Sequence, residues 1–339
     1  MNKNKSSNRR PTQFDVAERA GVSQTLVSNI LNQSLATSIP DETRERVLKA
    51  MQEIGYIPHR AARSLRTNKT YTIAAIIPDI TNPFYPLFVR GIQDITKAND
   101  FDLVIYNTDG LIEEEQNCLC SIRENRVDGL IIVPFHQTDD DLREIGIPLV
   151  RLIQKPTQPV AFDSIFIDNV AAAHAIVHHL IERGHTRIGM IAGEEDTPPH
   201  ENRILGYQQA LSEHHIPLDK ILIRNGDYSE TGGYQAMQEL LKLSPSVTAV
   251  FAINDLVAMG ALTAIRESGL RVPDDIAIAG FDDIPAARLV FPPLTTVTQH
   301  QEQMGRRAAE MLFERLNGDV LDDARTVEMP FSVIVRESA

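Results

Sequence analysis

The sequence predicts an α/β protein with a small all-α helix-turn-helix head and a core of two Rossmann-like subdomains. From Tyr71 onward, short β-branched runs alternate with helical stretches, as in βαβ units that build a parallel sheet. Before that point the chain is basic and its apolar residues recur at helical spacing. A change of both charge and periodicity therefore separates a head from a core.

The charge of the chain is unevenly distributed. The net charge of −13 argues against a nucleic-acid partner if it is taken as one number. Residues 1–70, however, hold 12 Lys and Arg against six acids, and the remainder holds 21 against 40. A basic head on an acidic body indicates a phosphate-binding module joined to a part that does not touch DNA.

Composition also bears on location. With 339 residues, of which 42% are hydrophobic, the chain is long enough for two or three domains. The basic N-terminus is followed by no apolar signal-peptide region, and no run approaches the ~18 apolar residues of a membrane span. Cys118 and Cys120 stand two residues apart, which favours neither a disulfide nor a metal site. We expect a cytoplasmic protein without a cofactor.

The head begins with two short helices around Gly21, which supplies the backbone freedom for a sharp turn. Ser23 is placed to cap the second helix. A third helix follows Pro40, with acids in its first turn. The apolar residues predicted to pack the three helices together are Val16, Ala17, Ala20, Val22, Leu26, Val27, Ile30, Leu31, Val47, Ala50, Met51 and Ile54.

The opposite face of the second helix carries only uncharged hydrogen-bonding side chains. Amide side chains can pair with an adenine edge, and Thr can contact a thymine methyl group, so such a face suits base reading rather than phosphate binding. A plain solvated helix face is the alternative, which the glycine turn, the third helix and the basic flanks make less attractive. The face consists of Gln24, Thr25, Ser28, Asn29 and Asn32.

In the core, the residues that follow each predicted strand deserve inspection, because ligands of parallel α/β sheets bind beyond the carboxyl ends of the strands. Acids, amides and aromatic rings there suit a small ligand rich in hydroxyl groups. Helix N-caps are the alternative for several of them, Asn254 and Asp255 included. These residues are Asp79, Asn82 to Tyr85, Asn107, Asp109, Asp168, Asp227, Tyr228, Asn254, Asp255 and Asp282.

Several stretches resemble the LacI/GalR family. The head FDVAERAGVSQTLVSNILN, followed by TRERVLKAMQEIGYIPHRAARSLRTNKT, is similar to the DNA-binding head of that family. DITNPFY, ENRILGY, INDLVAMGAL, GFDDIP and PPLTTVTQ resemble motifs of its periplasmic-binding-protein-like effector domain. The resemblance implies a DNA-binding head (1–58), a hinge helix and linker (59–70), and an effector-binding and dimerisation core (71–339). It divides the core into subdomain one, about 71–168 and 300–328, and subdomain two, about 169–299 and 329–339.

The resemblance also implies DNA contacts. Gln24, Thr25 and Asn29 would meet bases in the major groove, with Ser28 on the same face. The segment HRAARSLRTNKT is too short for a stable isolated helix, and in the family it orders on operator DNA. There Leu65 would enter the minor groove as a wedge beside Arg63. The family often carries Arg where this chain has Asn29, the link NQSLATSIPDET is about two residues longer than usual, and His59 replaces a more usual Asn.

In the core, the resemblance implies an effector pocket. Phe84 would stack on the ligand, and Gln299 would lie near the crossover between the subdomains. The segment TPPHEN matches no common form of the pocket. Polar or aromatic contacts are implied for Arg203, Tyr228, Asn254 and Asp282.

We therefore expect a sequence-specific transcriptional regulator, most readily a repressor, controlled by a small sugar or sugar derivative. A homodimer is expected on a pseudo-palindromic operator, because one head reads only half a site. No leucine heptads follow the last strand, so tetramerisation by a C-terminal helix bundle is not expected.

Two other classes of protein have an α/β core of this kind. A periplasmic solute-binding protein shares the core fold but calls for a signal sequence and no basic head. A nucleotide-binding enzyme calls for a G-x-G-x-x-G or P-loop motif, which the sequence lacks. The His pairs at 178/179 and 214/215 occupy adjacent helical positions that face different ways, which disfavours a metal site. No enzymatic activity is expected.

Overall fold

The computed structural model describes residues 11–31, 39–56, 69–195, 197–319 and 323–339. The chain forms two compact units, Met1–Thr70 and Tyr71–Ala339. Among the described residues, no helix is both long and apolar enough to cross a membrane.

The described residues of the first unit form three helices, α1 (Gln13–Ala20), α2 (Gln24–Leu31) and α3 (Asp41–Ile54). Helix α1 ends at Gly21, whose φ of 64° lies in the left-handed region that glycine adopts without strain. The Oγ atom of Ser23 accepts the N–H of Leu26 at 3.2 Å. The predicted glycine turn and the predicted cap of α2 are therefore both present.

The three helices pack around one small hydrophobic cluster. Leu26, Met51 and Ile54 flank it in half-buried positions, as the helical spacing predicts. Because the apolar face of α2 is used in this packing, its uncharged face is left toward the outside. The buried members are Val16, Ala17, Ala20, Val27, Ile30, Val47 and Ala50.

The second unit alternates strands and helices along its whole described length. Its strands are β1 (Thr72–Ile77), β2 (Asp102–Asn107), β3 (Gly129–Ile132), β4 (Leu149–Leu152), β5 (Asp163–Phe166), β6 (Ile188–Ala192), β7 (Ile223–Asn225), β8 (Ala249–Ala252), β9 (Ala277–Ala279), β10 (Thr296–Thr298), β11 (Thr326–Glu328) and β12 (Ser332–Ile334). Its helices are α4 (Phe84–Ala98), α5 (Ile112–Asn125), α6 (Asp139–Arg143), α7 (Asn169–Glu182), α8 (Pro198–Glu213), α9 (Glu230–Leu241), α10 (Asp255–Glu267) and α11 (Gln301–Leu316).

These strands form two parallel sheets, as the βαβ alternation predicts. The first has the order β11-β5-β4-β3-β1-β2, and the second has the order β7-β6-β8-β9. Strands β10 and β12 pair antiparallel. The chain passes from the first sheet to the second after β5, returns to the first with α11, which packs on α4, and leaves it again between β11 and β12. The α/β class and the helix-turn-helix head are thus confirmed.

Helices α4 and α11 approach each other so closely that side chains are excluded at their crossing. A Cβ atom on Gly91 would lie 2.0 Å from the carbonyl oxygen of Glu302, and one on Gly305 would lie 1.9 Å from that of Phe88. Only glycine permits this backbone approach. The returning helix is thereby held against the first sheet and brings Gln299, which directly precedes it, to the carboxyl ends of the strands.

Candidate functional site

The predicted base-reading residues lie together on one face of α2. Gln24 and Thr25 are exposed, and Ser28 and Asn29 are half-buried. The helix carries no acidic residue in its first turn and no basic residue in its last. Asn32, Arg63 and Leu65 lie outside the described residues, so their predicted roles stay predictions.

A cleft of about 700 Å³ opens in the second unit, at the carboxyl ends of strands from both sheets. Strand-end loops and helix N-termini line it, which is where parallel sheets bind their ligands. All residues that the sequence predicts as effector contacts are brought together there. They are Phe84, Arg203, Tyr228, Asn254, Asp282 and Gln299.

Arg203 is held rigidly in this cleft by α8. Its Nε atom donates to Oδ1 of Asn169 at 3.0 Å, and its Nη1 atom donates to the carbonyl oxygen of Ile253 at 2.5 Å. The guanidinium carbon lies 3.6 Å from the centroid of the Phe281 ring. Burial lowers the pKa of Arg203, and the charge of Asp282 opposes this shift. The result is a fixed, oriented donor group on the wall of the cleft.

Asp282 faces Arg203, with 3.6 Å between its Oδ1 atom and Nη2 of the guanidinium. The same oxygen accepts Nε2–H of Gln299 at 2.5 Å. Burial raises the pKa of Asp282 to about 6, although Arg203 and Gln299 act in the opposite direction. Its φ of 108° is unusual for a residue other than glycine, and a hydrogen bond from its N–H to the carbonyl of Val297 holds it in place.

Tyr228 and Asn254 form a second wall. The side chain of Asn254 accepts the N–H of Val257 at 2.8 Å as the N-cap of α10, and its amide donates to the carbonyl of Tyr228 at 3.1 Å. The Tyr228 hydroxyl lies 2.6 Å from Oγ1 of Thr197. Asn254 is therefore a helix cap that also lines the cleft, while burial raises the pKa of Tyr228 to about 12.

Phe84 and Tyr85 begin α4 and present an aromatic surface to the cleft. Their ring centroids are 5.1 Å apart and the rings meet edge to face. Oδ1 of Asn82 accepts the N–H of Phe84 at 3.0 Å, which fixes the start of the helix. Burial raises the pKa of Tyr85 far above its ordinary value, so its hydroxyl stays protonated.

Three of the acids and amides at the strand ends, Asn107, Asp168 and Asp255, do not line the cleft. Asp168 caps α7 and pairs with Lys155 at 2.6 Å. Asn107 accepts the N–H of Ile80 at 2.6 Å. Asp255 is fully buried, where its carboxylate accepts the Thr296 hydroxyl at 2.5 Å and a backbone N–H, and burial raises its pKa well above the ordinary value. These three side chains make hydrogen bonds within the protein and do not face the cleft.

Other lining residues were missed in the sequence. Arg151 lies inside β4, pairs with Asp139 and donates through Nε to Oγ of Ser164 at 3.1 Å. A single arginine inside the apolar run PLVRLI was a usable signal, because a buried charge requires a partner. Phe135, Gln137, Gln154, Asn169 and Glu194 also line the cleft and came with no such signal. Pro198 and Pro199 belong to the segment TPPHEN, which the family resemblance places at the pocket without assigning contacts.

Two histidines from the adjacent pairs meet away from the cleft. Nδ1 of His178 lies 2.7 Å from Nε2 of His214, and His174 contacts Glu213 at 2.6 Å. Within the described ranges, no group of three or more His, Cys, Asp and Glu side chains is arranged to hold a metal ion.

Comparison with known proteins covers nearly the whole chain. Residues 13–59 match the model of bacterial regulatory proteins of the lacI family, and residues 177–339 match a periplasmic binding protein-like domain. The HTH-type transcriptional regulator CelR of Thermobifida fusca is 36% identical over 97% of this chain and 98% of its own length.

Two solved structures are also similar. The complex of the transcriptional regulator CelR with cellobiose has a TM-score of 0.74 at 33% identity, covering 97% of this chain and all of that one. The lac repressor dimer bound to operator and the anti-inducer ONPF has a TM-score of 0.87 at 28% identity, covering 97% of this chain and 99% of that one. These matches share a helix-turn-helix head and a ligand cleft in a periplasmic-binding-protein-like core. The chain belongs to the lacI family of bacterial transcriptional regulators.

Proposed function

We propose that this protein is a repressor whose affinity for operator DNA is set by a small, uncharged sugar or sugar derivative in the cleft. The observation that carries the proposal is the convergence of Arg203, Asp282 and Gln299 on one point of the cleft. A buried carboxylate held between two donors is a strong acceptor for hydroxyl groups, and the guanidinium is a donor to ring or hydroxyl oxygens.

The charges around the cleft support an uncharged effector. Both arginines that line it, Arg151 and Arg203, already face carboxylates. The remaining charged groups among its described lining residues are all acidic, so a phosphate or carboxylate on the ligand would be repelled. Aromatic rings at Phe84 and Tyr228 suit the apolar faces of a sugar ring. The acids with exposed or half-exposed side chains are Asp79, Asp109, Glu194 and Asp227.

A thermal-shift screen tests this proposal. Cellobiose, ribose and other uncharged sugars and nucleosides are compared with their phosphorylated counterparts, and we expect stabilisation by an uncharged compound. Asp282→Ala should abolish that shift, while Glu201→Ala, an exposed acid on α8 outside the cleft lining, should retain it. Stabilisation that persists in Asp282→Ala would remove Asp282 from the site. Stabilisation only by phosphorylated sugars would contradict the charge argument.

For DNA recognition, we infer that Gln24, Thr25 and Asn29 contact bases and that Ser28 lies at the same surface. The exposure or half-exposure of these side chains on a helix without charged residues supports base contact. Since Asn29 stands where Arg is frequent in the family, we expect an adenine rather than a guanine contact at that position. Arg63 and Leu65 are proposed to act in the hinge, on the minor groove.

We further propose that the regulator works as a homodimer in the cytoplasm, without catalytic activity or cofactor. The lac repressor structure is a dimer on its operator, and this chain exposes apolar side chains suited to a partner. In subdomain one they are Val104, Ile105, Leu111 and Ile112, and in subdomain two they are Leu289 and Phe291. The proposed division is a head (1–58), a hinge (59–70) and a core (71–339).

A further inference from the structure

Glu115 is a fully buried carboxylate in the first turn of α5. Its Oε1 atom accepts the N–H of Phe135 at 2.9 Å, and its Oε2 atom accepts the N–H of His136 at 3.2 Å. In the part of the chain that the structure describes, no Lys or Arg pairs with it. A buried charge without a cationic partner depends on such hydrogen bonds and on the positive end of its helix. These hydrogen bonds therefore fix the position of the loop around Phe135 and His136, the Phe135 loop, relative to α5.

The loop held by Glu115 is a wall of the cleft. Phe135 and Gln137 line the cleft directly. Nε2 of His136 lies 2.8 Å from the carbonyl oxygen of Gly110, and since a carbonyl only accepts, the ring nitrogen donates. Gly110 also lines the cleft. Glu115 and His136 thus connect two wall loops to one turn of one helix.

The other side of the same turn faces outward. Leu111 and Ile112, four and three residues before Glu115 in the chain, are 57% and 50% exposed. Val104 and Ile105 on β2 belong to the same exposed apolar set. In the proposed dimer these residues contact the second copy. The first turn of α5 consequently belongs both to the effector cleft and to the dimer surface.

We propose that Glu115 is a positioning residue that couples the effector cleft to the dimer surface. The inference rests on the proposed function, because it takes the apolar set around Ile112 as the contact with the second copy. A displacement of the Phe135 loop by an effector must break both hydrogen bonds to Glu115 or move the start of α5 with it. Coupling is reciprocal, so formation of the dimer must also change the Phe135 loop.

Amide hydrogen exchange tests this without knowledge of the effector. In the wild-type protein, exchange at Phe135 and His136 is measured above and below the dissociation constant of the dimer, which is obtained by sedimentation. We expect about tenfold slower exchange in the dimer, within the usual range of coupling between sites. In Glu115→Gln one oxygen acceptor is replaced by an amide NH₂, so exchange should be fast and independent of protein concentration.

Glu114→Gln is the matched control, because Glu114 is exposed one residue away and should behave as the wild type. If Glu115→Gln fails to fold, the exposed His136→Ala variant replaces it and should show a reduced concentration dependence. Equal amide exchange in the wild-type monomer and dimer would contradict the coupling but not the dimer. The same holds if Glu115→Gln or His136→Ala keeps the concentration dependence of the wild type. A monomer at every concentration would overturn the proposed dimer and the coupling with it.

Discussion

At the scale of single residues, the cleft concentrates polar groups in unusual states. Asp282 is buried, has a positive φ and has a pKa raised to about 6, while Arg203 opposite it has a lowered pKa. Both shifts have burial as their largest cause, so desolvation of the charged forms outweighs their attraction. In the proposed complex, hydroxyl groups of the effector would restore part of the solvation that Asp282 has lost.

The raised pKa of Asp282 leads to a prediction about pH. The folded protein holds the Asp282 proton more tightly than the unfolded chain does. Binding of this proton therefore adds its full contribution to the free energy of unfolding below the ordinary pKa of 3.8, and the contribution is lost as the pH rises through about 6. In Asp282→Asn that dependence should be absent. The free energy of unfolding of the variant should therefore rise by about 2 kcal/mol relative to that of the wild type between pH 4 and pH 8.

Urea unfolding at both pH values measures this difference. Glu114→Gln, at an exposed position, should follow the wild-type pH profile. A constant difference between Asp282→Asn and the wild type across the range would mean that Asp282 does not titrate there.

On the head, Gln24→Ala should weaken binding to a selected operator by about 1–3 kcal/mol, because a paired amide contact to a base is lost. Binding to random duplex DNA should stay the same, since the side chain is uncharged and exposed. Gel-shift titrations measure both affinities. Gln52→Ala, an exposed glutamine on α3, serves as the control. An equal loss on both kinds of DNA would assign Gln24 to the phosphate backbone instead.

At the scale of elements, close helix packing holds the returning segment of the chain in place. Helix α11 follows Gln299 and rests on α4 through the glycine contact at Gly91 and Gly305. Because Gln299 donates a hydrogen bond to Asp282, the packing of α11 on α4 also helps to position Gln299 against Asp282.

Gly305→Ala should therefore destabilise the core by about 3 kcal/mol, because the new Cβ atom meets backbone that cannot rotate away. Gly269→Ala is the control. There the left-handed backbone, φ 76°, is unfavourable for Ala, but no atom lies within 4 Å of the new Cβ, and the expected loss is about 1 kcal/mol. Denaturant unfolding should rank the two variants in this order, and the reverse order would contradict the role of the α4–α11 contact.

At the scale of the whole molecule, we expect the exposed apolar side chains to decide the state of association. Phe291 is 76% exposed and Leu289 is 80% exposed, which is unfavourable unless a partner covers them. We expect Phe291→Asp to shift the protein from dimer to monomer, with at least about tenfold weaker operator binding because the two heads are no longer held together.

Sedimentation and gel shift measure these two effects. Leu218→Asp removes an exposed apolar side chain outside both proposed contact sets and should leave the dimer intact. Dissociation by Leu218→Asp and not by Phe291→Asp would place the dimer contact elsewhere on the core.

The fold of this protein could be predicted from its sequence more completely than the lining of its cleft. Two parallel sheets, the helix-turn-helix packing and the cap at Ser23 followed from periodicity and residue type, because the spacing of apolar residues decides which faces are buried. The rule that ligands bind at strand ends located the cleft and identified a part of its lining, and family resemblance selected six of its residues. Phe135 and Gln137 were missed because loop residues carry no periodic signal.

The sequence by itself determined the class of the fold and the family, and it predicts which surface of α2 reads DNA. Only the tertiary structure decided which polar residue at a strand end faces the cleft and which one caps a helix. Asp255 and Asp282 both follow strands and are both buried, yet Asp255 is turned into the protein toward Thr296 while Asp282 lines the cleft. A cap and a ligand contact require the same carboxylate or amide acceptor, so residue type cannot separate them. The direction of the side chain, set by the packing of elements distant in sequence, decides whether it faces the cleft, and Asn254 both caps a helix and lines the cleft.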